Sequence, residues 1–205
     1  MVSLERQDKA PAHVFWHASG VATEQRCRQL GQQAATVWLT GLSGAGKSTL
    51  ACALEQRLFR AGRTSFVLDG DNLRHHLNSD LGFTARDRQE NIRRAAEVAR
   101  LMNDAGLIVI CAFISPLRSD RDLARTIIGA GNFIETHVST TRTVCEERDP
   151  KGLYQKARAG LITEFTGVSA PYEAPLEPAL TLDTGTLTLD HACEQLFGQL
   201  TPRFL

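Results

Sequence analysis

The sequence predicts an α/β chain: a mostly parallel sheet of five strands with helices on both faces. Three observations lead there. Short β-rich runs alternate with segments whose apolar residues recur at helical spacing. A glycine-rich loop joins the first such run to the first such helix. The chain has 205 residues, 42% hydrophobic and 22% charged, enough to bury one core without disulfides or a structural metal.

Taken in order, residues 1–33 are polar and read as an N-terminal extension with a short helix around 23–31. Residues 34–205 then form one domain. Residues 36–40 (TVWLT) read as the first strand, and 47–61 as a helix with Leu50, Ala53, Leu54 and Leu58 on one face. Residues 64–68 are the second strand, closed by Asp69-Gly70, which opens a carboxylate-bearing segment or, alternatively, a turn with a helix cap at Asp71 or Asn72. A long helix over 84–105 places Ile92, Ala95, Ala96, Ala99 and Met102 together. Thr84 and Asp87 resemble a capping box at its start. The third strand is 107–113, followed by a helix at 119–128 and a fourth strand at 132–138. Short helices at 141–147 and 153–158 flank the Asp149-Pro150 break. A fifth strand (180–183) and a closing helix (189–200) complete the chain.

Composition excludes some classes. The formal net charge is zero, unlike a generic nucleic-acid coat or polybasic membrane binder. The longest apolar run, eight residues from 107 to 114, is too short to span a bilayer as a helix. Cys27, Cys52, Cys111, Cys145 and Cys193 are odd in number and form no C-x-x-C, the pattern of reduced thiols. With no apolar stretch in the first ten residues, a cytoplasmic location is expected. Cys52 falls in an apolar pattern and reads as a buried thiol. Charge is uneven: residues 159–205 hold one cation, Arg203, against six acids, leaving −5 there and +5 over 1–158.

The strongest motif is Gly41-Leu42-Ser43-Gly44-Ala45-Gly46-Lys47-Ser48, which satisfies G-x-x-x-x-G-K-[ST] between a strand and a helix. Glycines let backbone N–H groups converge on phosphate oxygens, and the helix N-terminus favours an anion. Lys47 is positioned for the β- and γ-phosphates and Ser48 for Mg²⁺. The motif identifies nucleotide phosphate binding, not the reaction.

An acceptor side follows. Strand ends in such sheets face the ligand crevice, so a carboxylate in Asp69-Gly70-Asp71-Asn72 can order Mg²⁺ or take a proton from a hydroxyl. Arg88 and Asn91, three apart, share a helix face, and arginine forks suit phosphate or sulfate. Ser115 stands at the exit of the third strand, as a phosphate ligand, a nucleophile or a plain Ser-Pro turn. Residues 142–158 hold five cations and three acids and suit a lid over phosphates, or a solvated helix pair. Adjacent His75 and His76 make no metal pattern. Trp16 and Trp38 read as packing residues.

Six segments in order, WLTGLSGAGKSTLA (38–51), LDGDNLRHHLNSDLGF (68–83), DRQENIRR (87–94), FISP (113–116), RDPKGLYQKARAG (148–160) and FTGVSAPYEAP (165–175), resemble the adenylylsulfate kinases. Trp16, His17 and Val21 resemble that family's N-terminal segment. Leu117 and His76 stand where the family usually has Tyr and Gly. The resemblance implies a P-loop NTPase-type kinase fold with a lid around 141–170. It implies transfer of the ATP γ-phosphoryl group to adenosine 5′-phosphosulfate, with Mg²⁺. It implies a homodimer and leaves open an ATP sulfurylase as partner or fusion; no nucleic acid or membrane is involved. It makes Lys47, Asp71 and Ser115 the candidate catalytic groups, with Ser115 matching a phosphoserine of the family. Residues 41–49, through Thr49, together with Arg148 would hold ATP. Ser48 and Asp71 would hold the metal. Asp71, Arg74, Phe83, Arg88, Asn91, Ile114, Ser115, Lys151 and Phe165 would surround the acceptor, the two phenylalanines sandwiching adenine. A kinase for another small hydroxyl acceptor and a non-catalytic nucleotide-binding module are the alternatives.

Overall fold

The computed structural model describes residues 13–15 and 17–205; Trp16 lies outside the described residues. Strands β1 (Ala35–Thr40), β2 (Ser65–Asp69), β3 (Ile108–Ala112), β4 (Phe133–Val138) and β5 (Leu180–Leu182) form one sheet in the order β2-β3-β1-β4-β5. Every pairing is parallel, so the sheet is wholly rather than mostly parallel. β1 lies at the centre and is buried along its length. Its side chains alternate: Val37 and Leu39 enter one core, Trp38 the other.

The first core holds α2 (Lys47–Arg60) and α8 (Leu189–Leu200), through Leu50, Leu54, Leu58, Leu196 and Leu200. The second holds α4 (Ala85–Asp104) and α5 (Arg118–Ile128), through Ile92, Ala95, Ala96, Ala99, Ala124 and Ile127. Small alanines let α4 lie close to the sheet, where Trp38 stacks on Phe113 at 5.1 Å. Thr84 caps α4 as its spacing predicts, its hydroxyl accepting from the Asp87 N–H at 3.2 Å. Within the first 33 residues, Thr23–Leu30 forms α1. The buried Gln32 amide donates to the Thr64 and Gly106 carbonyls at 2.8 and 3.0 Å.

Two local expectations are corrected. Asp69-Gly70 does not turn the chain back; Gly70–His75 is a helix, α3. Its cap is Asp69, not Asp71 or Asn72: the Asp69 carboxylate accepts from the N–H groups of both. Cys52 is exposed, because the buried face of α2 runs through Leu50, Ala51, Leu54 and Leu58 and turns Cys52 outward.

A buried ion pair clamps the far side of the sheet. Arg121 of α5 is 2% exposed and donates to Glu135 of β4 at 2.7 Å. It also donates to the carbonyls of Ser115 and Glu173, each at 2.7 Å. One guanidinium thereby joins β4, the exit of β3 and the segment after residue 165. Arg121→Ala would leave Glu135 buried with only Arg125 to face it. We expect a loss of about 3–5 kcal/mol in urea unfolding; a loss below about 1 kcal/mol would contradict the clamp.

Candidate active site

The site lies where β1, β2 and β3 end. β1 runs into the loop 41–46, and α2 starts at Lys47. Gly44 has φ +78°, and a Cβ there would stand 2.8 Å from the Cys145 carbonyl oxygen. A side chain at Gly41 would fall onto the Val138 carbonyl. The loop therefore packs bare backbone against its neighbours where only glycine fits.

Neighbouring elements buttress this loop: α6 (Arg142–Arg148) and α7 (Leu153–Arg158). The Tyr154 hydroxyl of α7 donates to the Ser43 carbonyl at 3.0 Å. Arg148 of α6 donates to the Thr184 hydroxyl and carbonyl at 2.9 and 2.6 Å, and Thr184 in turn donates to the Ala45 carbonyl at 2.8 Å. Asp149 caps α7 through the Tyr154 and Gln155 N–H groups, both at 3.1 Å. The Asp149-Pro150 break is thus a built corner that aims Tyr154 at the loop.

Lys47 is buried, and its ammonium donates to the Gly41 and Leu42 carbonyls at 2.9 and 2.7 Å. Loss of hydration by burial holds its pKa down at about 8; Cys145, Asp69 and Asp71 pull it partly back up. The Ser48 hydroxyl donates to the Asp69 carboxylate at 2.6 Å. Asp69, one of the carboxylates at the end of the second strand, thereby joins the phosphate loop to α3. Asp71, two residues further on, is exposed and ion-paired with Lys151 from the α6–α7 corner. A hydroxyl and two carboxylates at the phosphate loop are oxygen donors suited to Mg²⁺, which keeps waters and phosphate oxygens for its remaining positions. No group of three His, Cys, Asp or Glu is poised for a metal among the described residues.

On the acceptor side, Arg74 donates to the Leu81 and Gly82 carbonyls at 3.1 and 2.7 Å and lies 4.5 Å over the Phe83 ring. That ring is 65% exposed. Phe165 is buried and meets Tyr154 edge-on at 4.9 Å. Arg88 donates to the Phe83 carbonyl at 2.8 Å, to the Thr166 hydroxyl at 2.9 Å and to the Glu164 carbonyl. It ties α4 to the segment carrying Phe165. Asn91 is buried beside Asn78. Ile114 offers its carbonyl to the Thr40 hydroxyl at 2.8 Å.

Ser115 stands apart. Its φ is +39°, it is 2% exposed, and its hydroxyl accepts from the Trp38 indole N–H at 3.2 Å. The structure thus gathers Lys47, Ser48, Asp69, Asp71 and Lys151, and separately Arg74, Phe83, Arg88 and Thr166, while Ser115 lies inward. Asp69, Tyr154, Thr166 and Thr184 were not singled out from sequence. Only Asp69 carried a signal, as the residue at a strand end.

The parallel sheet, its glycine loop and the buried lysine define a P-loop kinase. A family profile, adenylylsulphate kinase, matches residues 33–183. The adenylyl-sulfate kinase of Shewanella amazonensis is 57% identical over 188 residues, 92% of this chain and 95% of that one. The Vibrio cholerae adenylyl-sulfate kinase is 52% identical over 199 residues, 97% of this chain and 93% of that one. The Mycobacterium tuberculosis APS kinase, solved with AMPPNP and APS, superposes with a TM-score of 0.80 at 47% identity, covering 82% of this chain and 98% of that one. The chain belongs to the adenylylsulfate kinase family.

The lowered lysine pKa predicts that nucleotide binding depends on pH. Its folded pKa, about 8, lies below the unfolded 10.5, so between them the unfolded chain holds the extra proton and ligand-free stability rises with pH. Phosphate oxygens favour the charged ammonium, so ATP binding should take up a proton in that window. ATP affinity should be level below pH 8 and fall by up to about tenfold per pH unit above it. Calorimetry in buffers of different ionisation heat reads the proton directly; pH-independent affinity up to about pH 10 would contradict this assignment.

Proposed function

We propose that this chain is an adenylylsulfate kinase, which moves the γ-phosphoryl group of ATP to the 3′-hydroxyl of adenosine 5′-phosphosulfate, giving ADP and 3′-phosphoadenosine 5′-phosphosulfate. The observation that carries the reading is the chain of contacts Ser48–Asp69–α3–Asp71–Lys151, which sets an exposed carboxylate beside the phosphate loop.

The residues divide the work as follows. Amides of 41–49 and the Lys47 ammonium hold the ATP phosphates, and Arg148 steadies the loop through Thr184. Ser48, Asp69 and Asp71 are the donors for Mg²⁺, which when bound neutralises phosphate charge. Asp71 orients the 3′-hydroxyl and accepts its proton as the new oxygen–phosphorus bond forms and the bond to the β-phosphate oxygen breaks. Lys151 and Lys47 balance the charge spread over the transferring group. Arg74, Phe83, Arg88, Asn91, Ile114 and Phe165 form the acceptor pocket. The segment 141–170 serves as the lid, since Tyr154 and Phe165 pack together and Arg88 ties Thr166 to α4.

Direct in-line transfer needs no phosphoserine. The Ser115 hydroxyl is buried against Trp38, which supports a supporting role at the β3 exit. The five free thiols fit a reducing compartment such as the cytoplasm, and no described helix is long and apolar enough to cross a membrane. A homodimer and an ATP sulfurylase partner rest on the family resemblance alone.

Labelled ATP offered with adenylylsulfate, AMP or a sugar should label only adenylylsulfate, at its 3′ position. Asp71→Asn should lower kcat by about 10²–10³ with ATP affinity retained. Equal labelling of another acceptor, or near-full activity of Asp71→Asn, would overturn the proposal.

A further inference from the structure

Asn78 lies in the turn after α3 and is fully buried, at 0% exposure. Its backbone N–H donates to the Leu73 carbonyl at 2.8 Å, which fastens the turn to the helix carrying Asp71 and Arg74. Its side chain points the other way, to α4, where Nδ2 donates to Oδ1 of Asn91 at 2.9 Å. Asn78 Oδ1 has no hydrogen-bond partner. A buried amide oxygen left unsatisfied costs about 1–3 kcal/mol. An apolar residue would avoid that cost, so packing alone gives no reason for an asparagine here.

The reason lies in what the bond does to Asn91. An asparagine amide can face either way, and the two ends differ in sign: one donates, the other accepts. Asn91 is 5% exposed and sits one helical turn beyond Arg88 on α4. With Oδ1 held by Asn78, its Nδ2 is left as the free, donating end of the amide. Turned over, Asn91 would present an acceptor oxygen to a ligand that itself carries phosphate and sulfate oxygens.

We propose that Asn78 is a positioning residue of the acceptor pocket: its buried amide locks the Asn91 side chain so that Nδ2 faces the adenylylsulfate. The inference rests on the assignment of Asn91 to that pocket. Asn78 reaches the substrate only through Asn91. Its main-chain bond to Leu73 does not involve the side chain, so with leucine in its place Asp71 keeps its position and the chemical step is little affected.

The test is a double-mutant cycle with Asn78→Leu, Asn91→Leu and both together. Leucine is close to asparagine in shape and removes the orphan oxygen with the donor. Asn78→Leu should raise the KM for adenylylsulfate about tenfold, the cost of one hydrogen bond to a charged ligand. The KM for ATP should be unchanged and kcat within about threefold of wild type. In the Asn91→Leu background the same substitution should change the KM less than about twofold, because its effect runs through Asn91. A merely structural role would repeat the full penalty in both backgrounds and would overturn the inference. A wild-type KM in Asn78→Leu, with Asn91→Leu impaired, would also overturn it and leave the pocket assignment standing. A wild-type KM in Asn91→Leu would remove the pocket assignment and the inference together. If Asn78→Leu fails to fold, hydrogen exchange in the wild-type protein decides. The Asn78 side-chain amide should exchange far more slowly than surface amides, and surface-like exchange would overturn the lock.

Discussion

A lysine ammonium buried at the carboxyl end of the central strand is the feature on which the rest depends. Lys47 has only carbonyl oxygens as hydrogen-bond partners, and burial weakens its hold on the proton. Such a group is costly unless an anion arrives, and the loop around it is shaped for one. Bare glycines pack against the Val138 and Cys145 carbonyls, at positions where a side chain would not fit. Tyr154, Thr184 and Arg148 grip the loop by its carbonyl oxygens.

From that point polar tethers carry position outward. Asp69 holds Ser48 with one carboxylate oxygen and starts α3 with the other. A single side chain thus relates the phosphate loop to Asp71. Arg88 relates α4 to the segment bearing Phe165, and Arg121 relates that segment to β4 and to the strained turn at Ser115. The Ser48–Asp69 and Arg88–Thr166 bonds join residues 21 and 78 positions apart. They suit a site that must hold two polyanionic nucleotides in register across separate loops.

Much of the fold was legible because its signals are local. The β1–loop–α2 unit carries its strand, its glycines and its helix stripe in one stretch, and the alternation of later segments indicated a parallel sheet. The misses have a common cause. Asp69-Gly70 has the composition of a turn, and only the side-chain bonds of Asp69 to the two following amides make it a helix start. Cys52 lies among apolar residues in sequence, but 100° per residue turns it away from Leu50 and Leu54. The Ser48–Asp69 bond, the burial of the Ser115 hydroxyl and the Asn78–Asn91 pair depend on distant segments meeting, which spacing along the chain does not encode. The neutral net charge is compatible with such a site, because two small polyanions call for a few placed cations rather than a basic excess.

The central claim is that Asp71 and the phosphate loop face each other across the acceptor's 3′-oxygen. A crystal structure with a non-hydrolysable ATP analogue and adenylylsulfate tests it most directly. The account predicts the 3′-oxygen in hydrogen-bond contact with Asp71, the terminal phosphate beside Lys47, and the Ser115 hydroxyl still held by Trp38. A 3′-oxygen turned away from Asp71, or a phosphate seated on Ser115, would contradict it.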